Sequence, residues 1–399
     1  MKFLKNQPLE TYLLIALPAL RLVVLTISEP QLLITSISDS LKVIMYYLLF
    51  GGEFLVYAFV LIYFYLMVKI IWSLGNSIIE RFRTGHKSFL RNSLPAIKST
   101  AFLVLGISIS LLFIAAEITN VLEAPKERVI FGSNFLMNLD YTIFGVYPAF
   151  LNLAQASSNF MQNLSLFFIF IYHSLAYFVS IIFVALLIAN KELFRKYVLV
   201  FFLTTAISFP MWYSLPAISP HFMYQHNVFG ASLPNNIETT VKSFEYPPAL
   251  ADYVDKIKFA KEQQLKESSD PSQNFYPYTT FPSMHGAWGI MIAYFATKLW
   301  KPLGLIAIPW AVLNAVSGVY TQWHYAVDML LGTFVAFVVI GLVNYLMRIE
   351  KKFLSKETYH FTIIDVIQTD LRKVFQVVKE TTTLPRLRNS AIPPHKRNG

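Results

Sequence analysis

Long unbroken apolar runs, separated by short polar segments, dominate the chain. Seven of them, near 43–72, 98–118, 164–190, 196–213, 283–299, 303–321 and 325–347, are long enough to cross a bilayer as helices. A spanning helix needs about 20 apolar residues, and its backbone must satisfy its own hydrogen bonds in hydrocarbon. The segment 11–26, interrupted by Pro18 and Arg21, reads as an interfacial helix, with an eighth span as the alternative. No small-residue cleavage site closes it, so it does not read as a cleavable signal peptide.

The short polar loops set the orientation. One side collects Arg81, Arg83, Lys87, Arg91 and Lys98, then Lys191, Arg195 and Lys196, then Lys298 and Lys301, and finally the tail from Arg348 to Arg397. By the positive-inside rule that side is cytoplasmic, and the long loops 119–163 and 214–282 face outward. The loop 214–282 is long enough to form a lid or small cap. Residues 1–97 read as N-terminal hydrophobic helices with a basic loop, 98–347 as a six-helix membrane domain, and 348–399 as an amphipathic and basic cytoplasmic tail. The chain shows no tandem repeat and no soluble domain able to fold alone.

Composition agrees: 55% of the 399 residues are hydrophobic and only 14% charged, too few charges to clothe a soluble surface. Cysteine is absent, which removes disulfides, thiolate zinc sites and thiol nucleophiles. The net charge of +10 lies in short loops and the tail, so it orients the chain and does not point to nucleic acid. The expected fold is an all-α integral membrane protein.

Polar residues capable of chemistry gather at the outward ends of three spans. Phe281-Pro282-Ser283-Met284-His285-Gly286 opens the fifth span. Proline in a first turn leaves that turn's amides pointing outward, where an anion is welcome; Ser283 adds a hydroxyl donor and His285 a titratable ring. Ser317-Gly318-Val319-Tyr320-Thr321-Gln322-Trp323-His324-Tyr325-Ala326-Val327-Asp328 bridges the sixth and seventh spans. His324 and Asp328 stand four apart, so the carboxylate can fix the imidazole's tautomer and raise its basicity. If these spans pack together, His324 can reach the same spot as His285. The segment from Phe209 to His221 is aromatic and Pro-rich and marks a broken helix end.

The ordered pair Pro-Ser-x-His, then Ser, six residues, His, three residues, Asp resembles two signature motifs of the type 2 phosphatidic acid phosphatase superfamily. His324-Tyr325-x-x-Asp328 is similar to the inositol phosphorylceramide synthase branch, as are Asp140 to Gly145 and Pro216 to Pro220. The likeness covers roughly residues 98–347. It implies a six-helix core, with one or two further N-terminal helices here, and two-step phosphoryl transfer. His324 would attack phosphorus, Asp328 support it and His285, facing it across a gap for a single phosphoryl group, protonate the leaving group, with Ser283 and Ser317 as phosphate-binding residues and no metal or cofactor. The donor would be a lipid phosphate or phospholipid, the acceptor a lipid alcohol or water, and the site extracytoplasmic.

The chain departs from the phosphatase pattern where Gly318 replaces an arginine and where the first cluster carries no cation. The synthase branch shares the missing arginine, so a lipid phosphotransferase is expected ahead of a lipid phosphate phosphatase. Lys126, Arg128, Lys242, His221 and His226 are the loop residues able to supply charge instead. A transporter or scramblase is the rival of another class, and zinc on two His and an Asp a rival use of the same residues. Asp140 is expected to cap a helix and His173 to be structural. Glu53 and Glu117 are expected to be packed neutral acids, and the many Phe and Tyr to face lipid.

Overall fold

The computed structural model describes residues 124–150, 159–225, 278–279 and 281–353, with scattered positions before residue 80. The expected spans 43–72 and 98–118, Glu53, Glu117, His226, Lys242, most of the loop 214–282 and the tail after 353 lie outside the described residues. The described part of 11–26 is helical, and Leu13 packs against the bundle core.

From residue 124 onward, the described residues form six long helices: α1 (Lys126–Phe144), α2 (Asn159–Ala189), α3 (Lys191–Ser214), α4 (Met284–Leu299), α5 (Gly304–Tyr320) and α6 (Ala326–Phe353). Two short strands, β1 (Ala217–Ile218) and β2 (Tyr278–Thr279), pair antiparallel and draw the two ends of the long segment between α3 and α4 together. Among the described residues, four helical stretches are long and apolar enough to cross a membrane: 162–189, 191–214, 301–320 and 326–352. They match four of the runs read from the sequence. The fifth, α4, has 16 residues, a rise of only about 24 Å, so it starts inside the bundle.

Local sequence sets the helix ends. The Asn190 side chain accepts from Leu193 N at 3.0 Å and caps α3. Ser283 caps α4 through Gly286 N. Gly145 ends α1 at φ 69, a left-handed conformation in which the missing Cβ avoids strain.

Helix α4 is the hub: Met291, Ile292, Phe295 and Ala296 pack with Val179 and Leu186 of α2, Leu199 and Val200 of α3, and Val339 and Val343 of α6. Phe170, Ile181, Leu305, Ile306, Phe334 and Phe337 are exposed on the outer faces, where a bilayer rewards apolar surface. Polar contacts join helices α2 and α5, among them Ser165 to Tyr320 at 2.8 Å, Asn314 to the Ile171 carbonyl at 2.9 Å, and Trp310 to Ser174 at 2.9 Å. Hydrogen bonds of this kind between membrane helices contribute about 0.6 kcal/mol each on average.

Helices α4 and α6 run side by side because each presents a glycine to the other. A Cβ on Gly286 would collide with the carbonyl of Met329, and one on Gly332 with the carbonyl of Ser283. Small residues let membrane helices approach this closely, and here the contact locks the start of α4 to the start of α6. At the far end, buried Arg195 donates two bonds to Glu350, at 3.0 and 3.1 Å, and Lys351 meets Glu192 at 2.9 Å. Among the described residues, Lys191, Arg195, Lys196, Lys298 and Lys301 therefore gather at the end of the bundle away from the starts of α4 and α6.

Above those starts sits a second, smaller core. Val129, Leu136 and Met137 of α1, Phe150, Ile218, Phe222, Met223 and Tyr325 form it. Gly132 lies against the Pro216 carbonyl, and Ser133 Oγ accepts from Ile218 N at 3.0 Å. The sequence reading expected a cap from 214–282 alone; the described cap also draws on α1, from within the loop 119–163.

Candidate active site

Helix α5 ends in a tight reversal that folds His324 back onto the bundle. The amides of Trp323 and His324 both donate to Gly318 O at 3.1 Å, and Gln322 takes φ 60. That conformation is uncommon for a residue with a side chain and costs about 1–3 kcal/mol unless its surroundings enforce it. Here they do: Gln322 is fully buried, donates through Nε2 to Ala149 O at 2.9 Å, and accepts on its carbonyl from His221 N.

His324 Nδ1 lies 3.3 Å from Asp328 Oδ2, which also accepts the Tyr325 amide at 3.3 Å. His324 Nε2 lies 3.2 Å from His285 Nδ1, with the rings 5.0 Å apart. A carboxylate only accepts, so its contact assigns the His324 proton to Nδ1 and leaves a lone pair on Nε2. His285 then donates to that lone pair. An imidazole oriented in this way is equipped to act as a nucleophile or base, and a second imidazole on its free nitrogen is placed to donate a proton.

The structure corrects the expected gap. The two imidazoles touch, drawn together by their hydrogen bond and by the glycine contacts between α4 and α6, and no phosphoryl group fits between them as they stand. The arrangement also fits poorly with one metal ion on all three residues, because Asp328 and His285 occupy opposite nitrogens of His324. Among the described residues no three His, Asp or Glu side chains gather as a metal site.

Ser283 is fully buried at the head of α4; its oxygen accepts from Gly286 N, and its amide donates to Asp328 O at 3.0 Å. Ser317 is equally buried, but its hydroxyl donates to Asn314 O at 2.7 Å, so in this state its proton is engaged with its own helix. A Cβ on Gly318 would stand 3.3 Å from His324 Cδ2 and 3.2 Å from Met329 Cε. His324 packs over this position, and a long side chain there would displace it. Arg128 points elsewhere: it donates to Tyr213 O at 2.9 Å and lies over the Tyr213 ring. Lys126 starts α1 on an exposed surface, and the buried His221 ring meets the edge of Phe222.

Asp140 does cap a helix, though not its own. From within α1 it accepts Ala326 N at 3.0 Å and Val327 N at 2.8 Å, the free amides at the start of α6. Burial raises its carboxyl from the ordinary 3.8 to about 7; the Val327 and Ala326 amides pull the other way, and nearby Asp328 raises it further. One carboxylate thus ties the cap helix to the helix that carries Asp328.

Sequence reasoning singled out His173 in α2 and passed over Tyr172. The His173 side chain is exposed and meets Tyr172 edge-on at 5.5 Å. Tyr172 is buried, stacks on His285 at 4.3 Å and 10°, and brings its hydroxyl to 3.5 Å from His324 Nε2. The signal was there: Ser165, Phe168, Tyr172 and Leu175 recur at helical spacing on the face turned toward α5.

A family model described as the PAP2 superfamily matches residues 134–342, a stretch holding both imidazoles, Asp328, Ser283, Asp140 and Tyr172. No curated protein and no solved structure matches the chain. The match covers more than half of the 399 residues and falls on the helices that build the site, so the chain belongs to the PAP2 superfamily, whose members are phosphatases and phosphotransferases.

Proposed function

We propose that the protein is a membrane lipid phosphotransferase working through a phosphohistidine, and the observation that carries this is the contact of His324 with both Asp328 and His285. The lone pair on His324 Nε2 attacks phosphorus, the bond from phosphorus to the donor's leaving oxygen breaks, and His285 passes its proton to that oxygen. Asp328 stabilises the charge that develops on the His324 ring. In the second step the acceptor hydroxyl attacks phosphorus, the N–P bond breaks, and His285 takes up the hydroxyl proton. Ser283 and the α4 amides are the proposed phosphate contacts at the helix start. Ser317 joins them by turning its hydroxyl from Asn314.

Two features support an alcohol over water as acceptor. His324 and Asp328 are buried beneath a cap with its own core, which restricts water, and Gly318 stands where the phosphatase pattern has an arginine. The likeness of the motifs to inositol phosphorylceramide synthases makes ceramide the first acceptor to offer. The site lies at the end of the bundle opposite the short basic loops, which supports an extracytoplasmic position by the positive-inside rule.

The test is a product assay. Purified protein in detergent receives phospholipids labelled in the phosphate, with and without ceramide, diacylglycerol or a polyprenol. A new labelled lipid that requires His324 supports the transferase. Free phosphate alone under every condition identifies a hydrolase, and full activity in His324→Ala rejects the mechanism.

A further inference from the structure

We infer that Tyr172 is a further catalytic residue, whose phenolic hydroxyl donates a hydrogen bond to a non-bridging phosphoryl oxygen as His324 attacks. The inference rests on the phosphohistidine reading above and names a neutral donor within that site.

Two donors converge on one lone pair. His285 Nδ1 stands 3.2 Å from His324 Nε2, and Tyr172 Oη 3.5 Å from the same atom. A ring nitrogen holds a single lone pair, so once Nε2 bonds to phosphorus both donors face the oxygens that phosphorus carries. An oxygen on phosphorus at Nε2, on the tyrosine side, comes within the hydroxyl's range of about 2.5–3.0 Å. His285 faces the leaving oxygen and gives up its proton. Tyr172 keeps its proton throughout, so it changes the stability of the transition state without altering the balance of the reaction.

The placement is built. Asn314, fully buried in α5, donates to Ile171 O at 2.9 Å and Tyr172 O at 3.5 Å, fixing the α2 backbone beside the site. The Tyr172 ring lies nearly parallel to His285 at 4.3 Å and to Trp323 at 6.4 Å and 8°. A phenylalanine would stack as well, and burying a hydroxyl costs free energy unless it finds a polar partner. The hydroxyl's position beside the nucleophile is therefore what distinguishes tyrosine from phenylalanine here. It also fits the lack of side-chain charge at Gly318, where His324 itself fills the space.

Tyr172→Phe tests this. Removing one donor to a developing oxyanion lowers turnover about 10²- to 10³-fold. The expected result is a kcat reduced about 100-fold with KM changed less than about 3-fold, an unshifted melting temperature, and orthovanadate bound at least about 10-fold more weakly. A variant that retains more than a third of wild-type kcat and binds orthovanadate equally overturns the assignment while leaving the phosphohistidine mechanism standing. Wild-type protein that neither turns over a lipid phosphate nor binds orthovanadate overturns both. If Tyr172→Phe does not fold, difluorotyrosine at position 172 carries the test. Its more acidic phenol moves the alkaline limb of the kcat profile toward neutral pH, and an unmoved limb overturns the assignment.

Discussion

Gly332→Ala adds one methyl group where α6 meets the head of α4. The new carbon collides with the Ser283 carbonyl oxygen and also comes to 3.0 Å from Ser283 C and 3.2 Å from its N. These are backbone atoms of the residue that caps α4, so no side chain can swing away to absorb the clash. Restoring ordinary contact requires the two helices to part by roughly an ångström, in the range where overpacking costs about 1–3 kcal/mol. His285 lies two residues beyond Ser283 and moves with it, away from His324. A misplacement of about 1 Å in a catalytic geometry costs on the order of 10²-fold in rate. Gly341→Ala, on the same helix, is the control, because a Cβ there meets nothing within 4 Å of the described atoms. Alanine is the better helix former by about 1 kcal/mol, so that variant is neutral or slightly more stable. Thermal melting in detergent and the labelled-lipid assay read both variants. Gly332→Ala with wild-type melting and activity would refute the claim that this contact sets the distance between the imidazoles.

Asp328→Asn replaces the acceptor that holds the His324 proton on Nδ1; kcat falls on the order of 10³-fold with little change in melting, measured by initial rates on labelled lipid. The Asp140 carboxyl holds its proton to about pH 7 in the folded protein, whereas an unfolded chain releases it near 3.8. The folded state binds the extra proton between those values, so stability falls as pH rises through that window, by about 4 kcal/mol at most. Melting temperature should drop from pH 5 to pH 7.5 in the wild type and less in Asp140→Asn, which also leaves one α6 amide poorly accepted and melts lower at pH 5. Arg195→Ala removes two bonds to the buried Glu350 and costs about 3–5 kcal/mol in a denaturation series, whereas replacing both partners with methionine restores most of that loss.

The helices were legible because the bilayer demands so plain a pattern. Runs read as 164–190, 303–321 and 325–347 became α2, α5 and α6, and the contact of His285 with His324 follows from motifs at the heads of adjacent spans. What stayed hidden depends on which atoms meet across the fold. Tyr172 looked like one of many aromatic residues in apolar surroundings: the helical spacing of Ser165, Phe168, Tyr172 and Leu175 marks one face of α2, but it does not tell which helices that face meets. Asp140 read as a cap because its residue type suits one, yet only the packing of α1 over α6 could show which helix it serves. Helix α1 itself was folded into an expected loop, having too little apolar length to resemble a span. The gap expected between the imidazoles was closed by two glycines whose importance lies in the backbone they let approach.

His324 and Tyr325 are neighbours in the chain, yet they belong to different neighbourhoods. The imidazole faces the membrane bundle, while the phenol is fully buried in the outer core and donates to Ile218 O at 3.1 Å. A single peptide bond is thus the mechanical coupling between the His324 ring and the second core. Substitutions under the cap, at Val129, Leu136 or Met223, can tune how the imidazole sits without altering any group it touches. Diversification of the capping segments is then a route by which the setting of His324 changes while the groups around its ring stay the same.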